Sequence, residues 1–239
     1  MDPLFEFFNR GARAVPEDRA DWPESWKWKK IEYKKYPRMP QIKLPKAELP
    51  SVTLNDAILN RKSSRDFLAV PLTTAELSAL IFFGAGITKE NRDINFSHRA
   101  HPSGGARYPI ELYPLIMNVK DLDEGIYHYN ILDNSLEFLL KADREAIAGL
   151  SRFDFVRDAG ALFIFTMIPS RSTIKYGNAG YKMGLIEAGH IAQNIYLAAS
   201  ALQLKCLALG GMANLELAND LLDIDGNKEI AFYSAALGR

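Results

Sequence analysis

The run Glu111-Leu112-Tyr113-Pro114-Leu115-Ile116-Met117-Asn118-Val119 is followed by Gly125-Ile126-Tyr127-His128-Tyr129-Asn130 and then by Leu136-Glu137-Phe138-Leu139-Leu140. Each run is short and rich in aromatic and aliphatic residues, and Asp133-Asn134 supplies a turn between the last two, so the three predict an antiparallel meander. Downstream, residues 143–150 predict a helix. Residues 161–168 are the longest apolar stretch, far below the roughly 20 residues that span a bilayer, and read as a strand buried on both faces. A polar stretch up to Tyr181, a long helix over 181–202, a strand over 205–209, a short helix near 215–222 and a strand over 230–237 complete this half. Upstream, Leu54, Ala57 and Ile58 have helical spacing up to Asn60. Thr73 with Glu76 three residues on has the form of a capping box opening a second short helix. Residues between Ile87 and Arg99 read as a polar loop. Helices and strands interspersed without strict alternation predict an α+β fold, a mixed or antiparallel sheet flanked by helices.

The long helix carries Leu185, Ile186, Ile191, Ile195, Tyr196, Leu197 and Leu202, apolar on most faces, and is expected at the centre of the molecule. Its Gly184 and Gly189 would let another backbone come close, a partner subunit's copy included. Residues 1–50 differ from the rest: Trp22, Trp26, Trp28, Tyr33 and Tyr36 stand among lysines, and Pro37, Pro40, Pro45 and Pro50 break any regular element. They read as an arm packing on a single domain over 51–239. Aromatics beside lysines can bind single-stranded nucleic acid, but Glu17, Asp18, Asp21, Glu24 and Glu32 interrupt the charge, and nucleic acid is not expected.

Composition narrows the function classes. Of 239 residues 48% are hydrophobic and 24% charged, which excludes wholesale disorder and a collagen-like chain. Lys+Arg and Asp+Glu are 29 each, so no global field steers the chain toward nucleic acid or an anionic membrane. The one cysteine, Cys206, can make neither an internal disulfide nor a multi-cysteine metal site; this fits a reducing cytoplasm, and redox chemistry would need a borrowed cofactor. The apolar patch in the first residues is too short for the core of a secretory signal.

Three segments carry candidate chemistry. In an extended Arg61-Lys62-Ser63-Ser64-Arg65, the side chains of Arg61, Ser63 and Arg65 share one side and offer two guanidinium forks and a hydroxyl, a donor set suited to phosphate; a solvated basic helix end is the plain alternative. Ser103-Gly104-Gly105-Ala106-Arg107-Tyr108-Pro109 and Leu209-Gly210-Gly211-Met212 are glycine turns at strand ends, where a backbone can approach a flat ligand; plain structural turns explain them as well. Neither matches a P-loop or a dinucleotide fingerprint, so a mononucleotide fits better than FAD. His98 and His101 lack further ligands for a metal. His190 reads as a core histidine and Cys206 as a small buried hydrophobe.

Taken together, Arg61 to Phe67, Pro102 to Tyr113, Lys175-Tyr176-Gly177 and Glu187 to Asn194 resemble the SagB-type dehydrogenases of the nitroreductase superfamily. The resemblance implies an FMN-binding homodimer whose sites are lined by both subunits. It assigns Arg61 and Ser63 to the phosphate and ribityl chain and Arg65 to a place nearer the flavin ring. It lays Ser103, Gly104 and Gly105, with Arg107 in the same motif, along the isoalloxazine, and turns a backbone N–H of Gly210 or Gly211, after Leu209, to flavin N5. Gln193 and Asn194 are further candidates for the site, and Arg239 for a return to the phosphate. Lys175 and Tyr176 look like the pair used in catalysis by members that oxidise thiazolines or oxazolines alongside a cyclodehydratase. The implied activity is hydride transfer from an azoline in a peptide or small molecule to flavin. An NAD(P)H-dependent nitroreductase or ene-reductase, and a flavin-binding or redox-sensing module without turnover, share the same fold and cofactor.

Overall fold

The computed structural model describes residues 33–94 and 97–239. Trp22, Trp26 and Trp28 lie outside the described residues. In chain order the elements are β1 (Gln41–Lys43), α1 (Leu54–Asn60), α2 (Thr74–Ala85), β2 (Ile87–Lys89), β3 (His98–Arg99), β4 (Ile110–Ile116), β5 (Gly125–Asn130), β6 (Ser135–Lys141), α3 (Arg144–Ala148), β7 (Ala161–Met167), α4 (Ser170–Tyr176), α5 (Ala179–Ala201), β8 (Lys205–Leu209), α6 (Leu215–Leu222) and β9 (Ile230–Gly238). Tight 3-10 turns occupy Gly104–Ala106 and Asp154–Asp158.

Seven strands form one sheet in the order β1-β6-β5-β4-β7-β9-β8, each neighbour antiparallel, while β2 and β3 make a separate two-stranded ribbon. The expected α+β class and the β4-β5-β6 meander are both present. Strand alternation divides the core between two faces. Ile110, Leu112, Phe163, Phe165, Ala235 and Leu237 meet α2 and the inner face of α5, where Ala188, Ile191, Ile195 and Ala198 recur at helical spacing. Tyr113, Leu115, Leu162, Ile164 and Ala236 face the other way, onto Ile147, Leu150, Ala218 and Leu222. Helix α2 begins as its sequence requires: Glu76 N donates to Thr73 Oγ1 at 3.1 Å and Thr73 N to Glu76 Oε2 at 2.8 Å, closing the capping box. No helix among the described residues is long and apolar enough to cross a membrane.

Several expectations are corrected. The polar loop between Ile87 and Arg99 begins and ends in the β2-β3 ribbon, Ile87–Lys89 paired with His98–Arg99, whose short, mostly exposed strands show no alternation that would have marked them. The polar stretch before Tyr181 contains α4, too short and too polar to show a period. Pro40 and Pro45 do not prevent a strand between them: β1 pairs with β6 at the sheet edge, Ile42 opposite Leu136. Helix α5 is buried on one face only; Ile186 on the other is 52% exposed, and His190, expected in the core, is exposed as well. Gly184 admits the Met167 side chain of the same chain rather than a second backbone, while nothing lies within 4 Å of where a Gly189 Cβ would be.

Candidate active site

The first group of candidate residues meets at the turn leading into β4. Gly105 has φ 62°, and the residues around it share its left-handed backbone, Ala106 at 53° and Tyr108 at 45°. Such conformations are strained for residues with a side chain and gather at functional sites. Ser103 Oγ holds the turn by accepting from Tyr108 N at 2.8 Å. Helix α4 runs toward it and ends at Tyr176, so that a Cβ on Gly105 would collide with Tyr176 Oη and come within 2.8 Å of Lys175 Nζ. Lys175 Nζ lies 5.1 Å from the centre of the Tyr176 ring, and Met183 of α5 packs against Gly104. The structure therefore brings Gly104 and Gly105 of the turn together with Lys175 and Tyr176 of α4, and Met183 of α5 closes against them. Lys175 and Tyr176 sit on a helix end rather than in a loop.

The second group gathers at the far end of α5. Ser63 forms a bridge to Cys206 of β8, and Ser64 N donates to Cys206 O at 3.1 Å, which extends the Arg61–Arg65 segment along the sheet edge. Tyr196 of α5 joins the parts: its hydroxyl accepts from Ala208 N at 2.7 Å and shares a hydrogen bond with Ser63 Oγ at 3.0 Å, while the Arg61 guanidinium lies 5.3 Å from its ring centre. Leu209, Gly210 and Gly211 follow directly, the two glycines exposed. A cavity of about 470 Å³ opens beside Arg61, lined also by Lys62, Ser64, Ser200 and Lys205. Ser200 Oγ is buried there without a hydrogen-bond partner, the only such side-chain atom among the described residues. Cations, hydroxyls and an orphaned oxygen suit an anionic group such as a phosphate.

These two groups are not adjacent. Met183 and Tyr196 are thirteen residues apart on α5, which at about 1.5 Å per residue separates them by roughly 20 Å. Other candidates have different surroundings. Arg65 is exposed beside Asp66, which pairs with Lys205. Arg107 is 8% exposed and turns beneath the first group, its Nε donating to Arg171 O at 2.6 Å. Arg239 pairs with Glu76 at the start of α2. Gln193 is exposed on the open face of α5, and Asn194 Nδ2 donates to Ala100 O at 2.8 Å. His101 is buried between Gly84 O and Glu187 Oε1, and among the described residues no three His, Cys, Asp or Glu side chains are placed so that they could hold a metal ion. Burial pushes the Cys206 thiol well above its ordinary range, which fits a buried hydrophobe.

The nitroreductase family model matches residues 58–239. The chain belongs to the nitroreductase family. As a member it is an oxidoreductase, and its relatives include a protein of Methanocaldococcus jannaschii assigned to the nitroreductases, 31% identical over 202 residues that cover 83% of this chain and 96% of that one. The microcin B17-processing protein McbC of Escherichia coli is 34% identical over 114 residues, 45% of this chain and 42% of McbC. The trifolitoxin-processing protein TfxB of Rhizobium leguminosarum is 36% identical over 114 residues, 44% of this chain and 30% of TfxB. These two matches span less than half of either partner, and they put this nitroreductase-family chain in the SagB-type branch. Among solved structures, one assigned to a nitroreductase of Anabaena variabilis superposes with TM-score 0.74 at 23% identity over 97% of this chain and 45% of that one. The E. coli microcin synthetase McbBCD complex with truncated pro-MccB17 bound gives 0.64 at 21% identity over 99% and 91%. A nitroreductase-family structure from Desulfovibrio desulfuricans in complex with FMN gives 0.53 at 19% identity over 79% and 87%.

Sequence reasoning missed Tyr196, Met183 and Ser200, which read as ordinary residues of an apolar helix. It also missed Arg171, Glu111 and His128. For the last two a signal exists: a carboxylate and an imidazole inside the strands of an otherwise apolar meander need buried partners.

Proposed function

We propose that the protein is an FMN-dependent oxidoreductase of the SagB type, acting as a homodimer, that oxidises an azoline ring in a peptide or small molecule to the azole. The observation that carries this reading is the convergence of Lys175 and Tyr176 on the Gly105 turn. Oxidation of a thiazoline or oxazoline removes a hydride from one ring position and a proton from its neighbour as the new double bond forms. Lys175 Nζ and Tyr176 Oη are the groups at the turn able to take that proton. Bound FMN would supply the two-electron acceptor. Arg61 and Lys62 would hold its phosphate, Ser63 the ribityl chain, and the backbone of Gly210 or Gly211 the ring edge. A family relative with FMN bound supports the choice of flavin. The McbBCD complex, which holds a truncated pro-peptide, supports a peptide substrate and work beside a cyclodehydratase.

The roughly 20 Å between the two groups supports a homodimer. One copy would hold the phosphate at its Tyr196 end and leave its own Lys175 out of reach. A second α5 packed antiparallel across Gly189, which lies midway between Met183 and Tyr196 on the open face, lays the first group of one protomer against the second group of its partner.

The near full-length match to the Methanocaldococcus protein favours a second reading, an NAD(P)H-dependent nitroreductase or ene-reductase. One experiment separates the two. Lys175→Ala and Tyr176→Phe should retain flavin while oxidation of a thiazoline peptide falls by about 10²–10⁴-fold, and flavin reduction by an artificial hydride donor should change much less. Equal losses in both reactions, or none in either, would leave the azoline reading without its base and favour the reductase.

A further inference from the structure

The half of the sheet nearest α4 is polar. On the face that elsewhere presents Leu115, Ile126, Leu162 and Ile164, it carries Glu111, His128, Glu137 and Thr166, all buried. His128 lies between two carboxylates, Nδ1 2.8 Å from Glu137 Oε2 and Nε2 3.2 Å from Glu111 Oε2. A carboxylate only accepts, so both ring nitrogens donate and the ring is an imidazolium. The other oxygen of Glu111 pairs with Arg171 Nη1 at 2.5 Å. Arg171 Nη1 also donates to Tyr108 O at 3.1 Å, and the Arg171 carbonyl accepts from Arg107 Nε. At the other end of the chain of contacts, Glu137 accepts from Tyr36 N at 3.0 Å and from Asn130 Nδ2 at 3.0 Å.

Helix α4 needs such an anchor. It has seven residues, no side-chain cap at Pro169 and one buried residue, Ser172, and a helix this short does not hold itself. Its distance from α5 is set by Gly180, where a Cβ would come 2.6 Å from the Ser172 carbonyl carbon. That contact leaves rotation about the helix axis unspecified. Arg171 reaches into the sheet one turn before Lys175, and Tyr176 follows, so a rotation that loosens Arg171 swings both away from Gly105.

We propose that Arg171, held by Glu111 and through it by His128 and Glu137, is the positioning residue for Lys175 and Tyr176, fixing the rotation of α4 that brings their polar ends onto the Gly105 turn. The proposal rests on the reading of Lys175 and Tyr176 as the groups that take the proton. Arg171→Met and Glu111→Gln test it, with amide exchange of the segment 170–177 and azoline oxidation measured on the same flavin-loaded preparations. Exchange across α4 should quicken by about tenfold or more while β4 and β7 amides keep their rates. Oxidation should fall by about 10- to 100-fold in kcat, the size expected when a reacting group is misplaced. Arg171→Lys should restore part of the rate. Adding Arg171→Met to the variant Lys175→Ala/Tyr176→Phe should slow it no further, because a positioning residue acts only through the groups it positions. Unchanged α4 exchange overturns the proposal, and so does a triple variant in which the Arg171→Met loss multiplies with that of the pair. If Arg171→Met does not fold, Glu111→Gln, close in size to the native side chain, carries the same comparisons. If Lys175→Ala leaves oxidation intact, the azoline reading fails by itself, and exchange across α4 decides the positioning.

Discussion

Replacing Gly105 with Ala adds one methyl group at the place where both proposed proton-handling side chains converge. Two costs arise. The backbone there is left-handed, φ 62° and ψ 26°, which costs a residue bearing a Cβ about 1–2 kcal/mol. At about 2–4 °C per kcal/mol for a chain of this size, the melting temperature should fall by roughly 2–8 °C. The second cost is geometric. The new Cβ would stand 2.8 Å from Lys175 Nζ and collide with Tyr176 Oη, whereas comfortable contact requires about 3.5 Å or more. Both are far ends of flexible side chains, so they yield at little cost in stability, yet Lys175 Nζ must retreat by about 0.7 Å and Tyr176 Oη by about 1 Å or more. A misplacement of that size costs about 10²-fold in rate. The expected outcome is a protein slightly less stable, with native flavin content and about a hundredth of native azoline oxidation, read by thermal melting, flavin absorbance and mass analysis of a thiazoline peptide. Native turnover at native flavin content would refute the placement of the pair in the site. Loss of flavin instead would make Gly105 a contact of the ring itself.

Arg61→Ala removes a charge-assisted bond worth roughly 1.5–3 kcal/mol and should weaken FMN retention about ten- to a hundredfold; unchanged affinity would return the segment to a solvated helix end. Mixed with Lys175→Ala and allowed to exchange subunits, the Arg61→Ala protein should recover about a quarter of native activity, because half the dimers are hybrids with one intact site each; no recovery would mean that one protomer supplies the whole site. The buried polar half-sheet sets two limits on stability. Burial raises the Glu111 pKa, but the Arg171 charge and the His128 hydrogen bond outweigh it and hold it at about 2, so its contribution is present above pH 4.5 and lost as pH falls toward 2. Burial lowers the His128 pKa, but Glu111 and Glu137 outweigh it, so the contribution of the imidazolium is complete below its ordinary 6.5 and lost as pH rises through the raised value. Melting temperature against pH should therefore lose its acid limb in Glu111→Gln and its alkaline limb in His128→Gln; native-shaped curves in both would contradict the pairing.

Much of the fold is legible in residues 111–168 because the strands are apolar, short and separated by turn formers, and Thr73 with Glu76 announces α2 through a local bond that needs no tertiary context. What escapes reading follows from the same physics. The ribbon from Ile87 is too exposed to alternate, and α4 is too short and too polar to show a period, although it carries Lys175 and Tyr176. The candidate site is legible as segments, Arg61 to Arg65 and Ser103 to Arg107, since closely spaced donors and glycines mark a backbone that meets a ligand. Their assembly is not. That Tyr196 reaches Ser63, or that Gly105 faces Tyr176, depends on pairings across more than seventy residues, and no local pattern encodes them.

The location of the buried ionic chain has a backbone cause. Pro114 in the middle of β4 brings no N–H to the ladder, and pairing between β4 and β5 is confined to Leu115 opposite Ile126 and Ile116 opposite Gly125. Beyond that point the two strands are joined by side chains, Glu111 to His128, and His128 joins them to β6 through Glu137. Tyr36 and Lys34, from the segment before β1, extend the cluster with Tyr113 of β4: Tyr36 shares a hydrogen bond with Tyr113, Tyr113 donates to Glu229, and Lys34 pairs with Glu229. Each carboxylate thus faces a cation: Glu137 faces His128, Glu111 faces Arg171, and Glu229 faces Lys34. Buried pairs of this kind add little net stability over well-packed apolar residues, because desolvation offsets their attraction, while removal of one member leaves a charge stranded. An apolar core at this end would stabilise the sheet at least as well. It would give α4 nothing directional to hold, and the direction of α4 is what aims Lys175 and Tyr176.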